Sequence, residues 1–140
     1  ITLIGLSDPN FTLKGDIFGE APAMVSTKLN SLADDESSYT ILLSHRPELF
    51  ESYARCNIDL VLSGHAHGGQ FRLPFIGGLI APNQGLFPKY DAGLYTSDST
   101  NMVVSRGLGN SIIPIRFNNP PEIIVIELLD TDLSDQFIEN

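Results

Sequence analysis

Three short apolar runs, Thr2–Leu6, Thr40–Leu43 and Ile58–Leu62, restrict what this chain can fold into more than any other feature. Each is rich in Ile, Leu or Val, lacks clean alternation, and ends at a small or polar residue. Strands buried on both faces of a parallel sheet have this texture. Between the first two runs lies Ala21–Ala33, where Val25, Leu29 and Leu32 recur at helical spacing. Between the second and third lies PELFESYARCN. Pro47 there suits a first helical turn, and Leu49, Phe50 and Tyr53 give a short helix one apolar face. The expected order is β-α-β-α-β, which requires parallel strands joined by crossovers.

Beyond Gly69 the texture changes. Glycine and proline punctuate FRLPFIGGLIAPNQGLFPKYDAGLY too often for helix. MVVSRG (Met102–Gly107) and EIIVIELL (Glu122–Leu129) read as strands, with a turn at Pro120 and Pro121. The second half is expected to be largely antiparallel sheet carrying long loops. Residues 1–129 form one expected domain portion, and DTDLSDQFIEN (Asp130–Asn140) reads as a solvated acidic tail.

Composition narrows the partners. With 42% hydrophobic and 18% charged residues the chain is ordinary globular material. A net charge of −9 argues against a nucleic-acid backbone, whose binding rests on clustered Lys and Arg. No apolar run approaches the roughly 20 residues that span a bilayer. The single cysteine, Cys56, excludes an internal disulfide and reads as a buried structural thiol. The chain opens at Ile1 inside an apolar run with no Met, which implies missing upstream sequence.

All three histidines follow strand ends. Ile41-Leu42-Leu43-Ser44 leads into His45, and Leu60-Val61-Leu62-Ser63-Gly64 leads into His65, with His67 two residues on. If the two strands are parallel neighbours, their carboxyl ends share one sheet edge, where open α/β sheets place ligands. Neighbouring strands lie about 4.8 Å apart, so His45 and His65 are within reach of one ion, with His67 beside it. Gly64, Gly68 and Gly69 would let the loop turn tightly and leave room for a substrate. Carboxylates are scarce at this edge. Asp8 follows the first strand on the same expected edge and is a ligand candidate, but Asp8-Pro9-Asn10 reads first as a turn, and Glu48 and Asp59 do not reach the site easily. Three histidines alone suffice for a mononuclear zinc site with an open position.

The segments ILLSHRPELF, DLVLSGHAHGGQ, RLP, DAGLY, VSRGLGNSIIPIRF and PPEIIVIEL closely resemble the calcineurin-like metallophosphoesterases. The likeness is to a bacterial branch with membrane-associated phosphohydrolases and UDP-diacylglucosamine pyrophosphatase-like enzymes, and it runs from Ile1 to about Leu129. It implies an α/β (α+β) fold, part of a four-layer β-sandwich flanked by helices. It also implies two divalent ions (Mn, Fe or Zn) in the intact enzyme, with His45 and His65 on one and His67 on the other. Arg46, Gly68, Arg106 and Asn110 are candidates for substrate contact, although a structural salt bridge is the favoured reading for each arginine.

The chain also departs from that family. Its earlier motifs, Asp-x-His, Gly-Asp and Gly-Asn-His, are not found in their places, and Gly15-Asp16 reads as a loop. The resemblance is therefore to the C-terminal portion of the domain. Three functions are consistent with this: a phosphoester hydrolase inactive in this portion alone, a mononuclear three-histidine hydrolase, or a noncatalytic interaction domain on a degenerate scaffold. Expected partners are a phosphorylated small molecule or lipid-linked phosphate, and either the missing N-terminal half or a second copy. The family tendency is toward the bacterial membrane or cell envelope.

Overall fold

The computed structural model describes residues 1–9, 19–32, 38–110 and 114–129. Gly15-Asp16 and the acidic tail lie outside them. A five-stranded sheet organises the molecule, in the order β1 (Thr2–Leu6), β2 (Thr40–Ser44), β3 (Leu60–Ser63), β9 (Thr100–Val104), β8 (Gly93–Ser97). Strands β1, β2 and β3 are mutually parallel, as the apolar runs imply. Helix α1 (Ala21–Asn30) connects the first two. A 3-10 turn at Pro47–Leu49, continuing into α2 (Phe50–Ala54), connects the second and third.

The helices settle on one face of the sheet because their apolar residues repeat on one side. Ala21, Val25 and Leu29 of α1 and Phe50 and Tyr53 of α2 are buried with Ile4, Leu42, Val61 and Met102 of the sheet. Register places Leu42 beside Ile4 and Val61, and Val61 beside Met102, so these four form one continuous row. Burying a side chain such as Phe50 contributes about 1.5–3 kcal/mol, and this row with its helices is the main core. Cys56 is buried within it, as expected of a structural thiol.

The opposite face is where the expectation of two covered faces fails. Leu3, Leu43 and Leu94 are exposed there, at 64%, 42% and 68%. Leu43 pairs with Leu62, Leu62 with Val103, and Val103 with Leu94, so an apolar row crosses four strands, half-buried at Leu62 and Val103 and exposed at Leu43 and Leu94. The strands carry two apolar faces, but among the described residues helices cover only one.

Beyond Gly69 the short hairpins β4 (Arg72–Leu73) with β5 (Gly77–Gly78), and β6 (Ile80–Ala81) with β7 (Gly85–Leu86), are antiparallel. So are β8 (Gly93–Ser97) and β9 (Thr100–Val104). The antiparallel reading of this half holds for these pairs, but β9 itself joins β3 in parallel. It begins two residues before Met102 and stops at Val104, ahead of Gly107, whose φ is +66°.

Glu122–Leu129 is a clearer correction. It forms no strand, and Ile123, Val125 and Leu129 are 77%, 89% and 74% exposed. Its β-branched composition favours an extended chain, but a strand also needs a neighbour for its backbone groups. No described strand pairs with it.

Candidate metal centre

The parallel pairing of β2 and β3 carries their carboxyl ends to a common edge, and the two histidines that follow them meet there. His65 Nδ1 lies 2.8 Å from His45 Nε2, with ring centroids 4.4 Å apart and planes tilted by 57°. Burial, then the neighbouring His45, hold the His65 pKa down at about 4, so its ring is neutral near pH 7 and keeps a lone pair. Imidazole nitrogens are the kind of donor a divalent transition metal takes, and here two of them meet. The two rings would supply part of an ion's ligand set, and among the described residues no third His, Cys, Asp or Glu joins them.

His67 is placed differently. Its ring bonds the Gly109 backbone, and burial is the main cause of its lowered pKa. Among the described residues no three His, Cys, Asp or Glu side chains converge, so the mononuclear three-histidine reading finds no assembled trio. Both His65 and His67 hold positive φ, at +66° and +48°. Such backbone costs energy in any residue but glycine and clusters at functional sites.

An open groove of ≈ 380 Å³ adjoins the pair, lined by Leu43, Ser44, His45, Leu62, Ser63 and Gly64. A Cβ on Gly64 would meet nothing within 4 Å, in keeping with free space for a substrate. Gly68 is buried instead, and a Cβ there would fall 2.3 Å from Asn119 Oδ1 and 2.7 Å from Arg106 Cγ. Its bareness lets Arg106 lie across the loop.

Both arginines proposed for substrate contact form ion pairs. The buried Arg46 guanidinium donates from Nε to Glu48 Oε1 at 2.5 Å and from NH1 to Asp8 Oδ1 at 3.2 Å. This ties Asp8, just beyond β1, to the His45 loop. Arg106 donates to Glu122 Oε2, while Glu122 Oε1 accepts from the Arg106 backbone N–H. Asn110 is exposed.

The Arg106 contact holds the Glu122 carboxyl below its ordinary pKa. A depressed carboxylate contributes stability that is present above its unfolded pKa and is lost as pH falls through the folded one. Glu122→Gln should therefore flatten the loss of thermal stability below about pH 4.5 by up to about 1 kcal/mol, the scale of a partly exposed pair. Parallel melting-temperature profiles for the two proteins from pH 6 to 3 would count against this linkage.

Sequence reasoning missed Asn83, whose side-chain amide lies 2.8 Å from His65 Nε2. Its place in the turn of the β6–β7 hairpin, eighteen residues after His65, gave no sign of the contact.

The chain is 43% identical over 94 residues to the uncharacterized metallophosphoesterase YkuE of Bacillus subtilis, covering 67% of this chain and 32% of that protein. It is 36% identical over 89 residues to the phosphodiesterase YaeI of Escherichia coli, covering 64% and 32%. The uncharacterized metallophosphoesterase Cj0846 of Campylobacter jejuni is 34% identical over 129 residues, covering 91% and 31%. That last match is long enough to include all three histidines. The chain spans about a third of the length of these relatives. No family model matches it, and no solved structure does. Among the described residues no helix is long and apolar enough to cross a membrane. The similarities to these named proteins support the metallophosphoesterase family for this chain.

Proposed function

We propose that these residues are the later portion of a metal-dependent phosphoester hydrolase and that His45 and His65 hold one divalent cation. The observation that carries this is the 2.8 Å approach of His45 Nε2 to His65 Nδ1 at the carboxyl edge of β2 and β3. When bound, such cations polarise phosphoryl oxygens and lower the pKa of an attacking water. The chain's own part is to fix two imidazole nitrogens beside an open groove. Imidazole serves as a ligand here, not as a general acid, and the low His65 pKa keeps that ring neutral and available.

His67 is assigned to a second ion of a binuclear centre (Mn, Fe or Zn) by family resemblance. Bridging carboxylates belong to earlier motifs that this sequence lacks, so the isolated chain should not turn over substrate. The substrate class is a phosphorylated small molecule or a lipid-linked phosphate, and the membrane or cell envelope is the place of action suggested by resemblance. The exposed apolar sheet face is consistent with cover from an N-terminal half or a second copy.

The test is zinc and manganese titration calorimetry on the parent chain, His45→Ala and His65→Ala. The parent should bind metal, and each variant should lose at least tenfold in affinity, about 1.4 kcal/mol. Equal affinity in all three, or strong phosphodiesterase turnover by the isolated chain, would overturn the reading.

A further inference from the structure

The outer nitrogen of His65 is held from a second element. The turn Pro82-Asn83-Gln84 joins β6 to β7 and brings the Asn83 amide Nδ2 to 2.8 Å from His65 Nε2. This turn is anchored. Gln84 Nε2 donates to the Tyr90 carbonyl at 2.8 Å, and the Tyr90 N–H donates to Gln84 Oε1 at 2.9 Å. Tyr90 is itself buried, stands edge-on to Phe50 at 5.6 Å, and donates from its hydroxyl to Glu51 Oε1. Asn83 is thus tied through Gln84 and Tyr90 to α2, the helix that follows the His45 loop.

The proton count defines what the amide does. With Nδ2 facing His65 Nε2, that nitrogen accepts, so the neutral ring carries its proton on Nδ1 and donates it to His45 Nε2. To offer a lone pair from Nδ1 to a cation, His65 must carry the proton on Nε2 instead. His45 already presents an unprotonated Nε2. The rearrangement moves one proton from Nδ1 to Nε2 of a single ring through solvent and releases none. Few side chains suit both tautomers. A carboxamide does, because half a turn about its last bond exchanges the NH₂ donor for the carbonyl acceptor.

We infer that Asn83 is the positioning residue for His65, its amide stabilising one ring tautomer in the metal-free chain and, reversed, the ligating tautomer. Partners of this kind orient a histidine ligand and fix which nitrogen is free. The inference rests on the metal reading given above. A competing role is purely conformational. Asn83 has φ +59°, and asparagine is among the few residues that tolerate it.

Asn83→Gly separates the two roles, since glycine keeps the turn and removes the amide. Asn83→Asp keeps an acceptor. Zinc affinity by calorimetry should fall about 10–100-fold in Asn83→Gly and stay within a few-fold of the parent in Asn83→Asp. Long-range 1H–15N NMR of the parent should show His65 protonated on Nδ1 without zinc and on Nε2 with it. Unchanged zinc affinity in Asn83→Gly, or one His65 tautomer throughout, overturns the inference while leaving the metal reading intact. A parent chain that takes up no zinc overturns both. The parent NMR result needs no variant, and a His65 protonated on Nε2 in the zinc-free chain would overturn the inference even if Asn83→Gly folds poorly.

Discussion

Gly69→Ala should destabilise the chain by about 3–4 kcal/mol, a large share of the 5–15 kcal/mol that holds a typical domain together. Two costs add. Gly69 has φ +74°, where an L side chain pays about 1–2 kcal/mol. A Cβ there would also stand 2.3 Å from the Gly78 Cα and 2.8 Å from its carbonyl carbon. Those are backbone atoms and cannot swing aside as a side-chain tip would, so overpacking adds about 1–3 kcal/mol. The strain would fall on the contact between the histidine loop and the β4–β5 hairpin, where Leu79 N–H donates to the Gly69 carbonyl at 3.1 Å. Gly64→Ala is the internal control. It lies five residues away in the same loop, lacks positive φ and has open space, so its effect should stay within about 0.5 kcal/mol. Urea unfolding of both variants measures the difference. Equal midpoints and slopes would show that the Gly69–Gly78 approach does not constrain the fold.

The contrast between these glycines marks how far the sequence could be read. SGHAHGG announces a tight, glycine-rich loop, but the sequence alone does not say which glycine is irreplaceable. That depends on Gly78, brought against Gly69 by a hairpin whose return path is not written in local spacing. The parallel βαβαβ portion was legible because its apolar runs and helical repeats are local and periodic. His45 and His65 were legible as a pair because parallel neighbouring strands necessarily end together. Glu122–Leu129 was misread for the complementary reason. Its β-propensity is local, whereas a strand partner is supplied by the rest of the fold, and none is present among the described residues. Asn83 belongs to the same class: an exposed turn residue acquires its role only because Gln84 and Tyr90 pin the hairpin over His65.

Arg46→Ala should cost about 3–5 kcal/mol, the scale for breaking a buried ion pair by removing one partner. Its side chain is only 5% exposed and those of Asp8 and Glu48 only 16%. Burial alone disfavours the guanidinium charge, yet Glu48 and then Asp8 more than offset this and raise its pKa. Without Arg46 two carboxylates are left facing a shielded space at the edge where β1 and β2 end. Lysine is a poor substitute, because a single ammonium cannot present the fork that meets Asp8 and Glu48 at once. The surrounding geometry would shift with it. Tyr53 donates from its hydroxyl to the Arg46 carbonyl at 2.8 Å and lies 2.7 Å from Ser44 Oγ, so the backbone on both sides of His45 depends on this cluster. Replacing the charges together, as in Arg46→Met with Glu48→Gln, should recover most of the loss, since an ion pair exchanged for well-packed neutral groups is often close to neutral. Chemical denaturation of the single and double variants gives the coupling directly. If Arg46→Ala instead kept full stability and only weakened binding of inorganic phosphate, the guanidinium would be a substrate contact and not the clamp that sets His45.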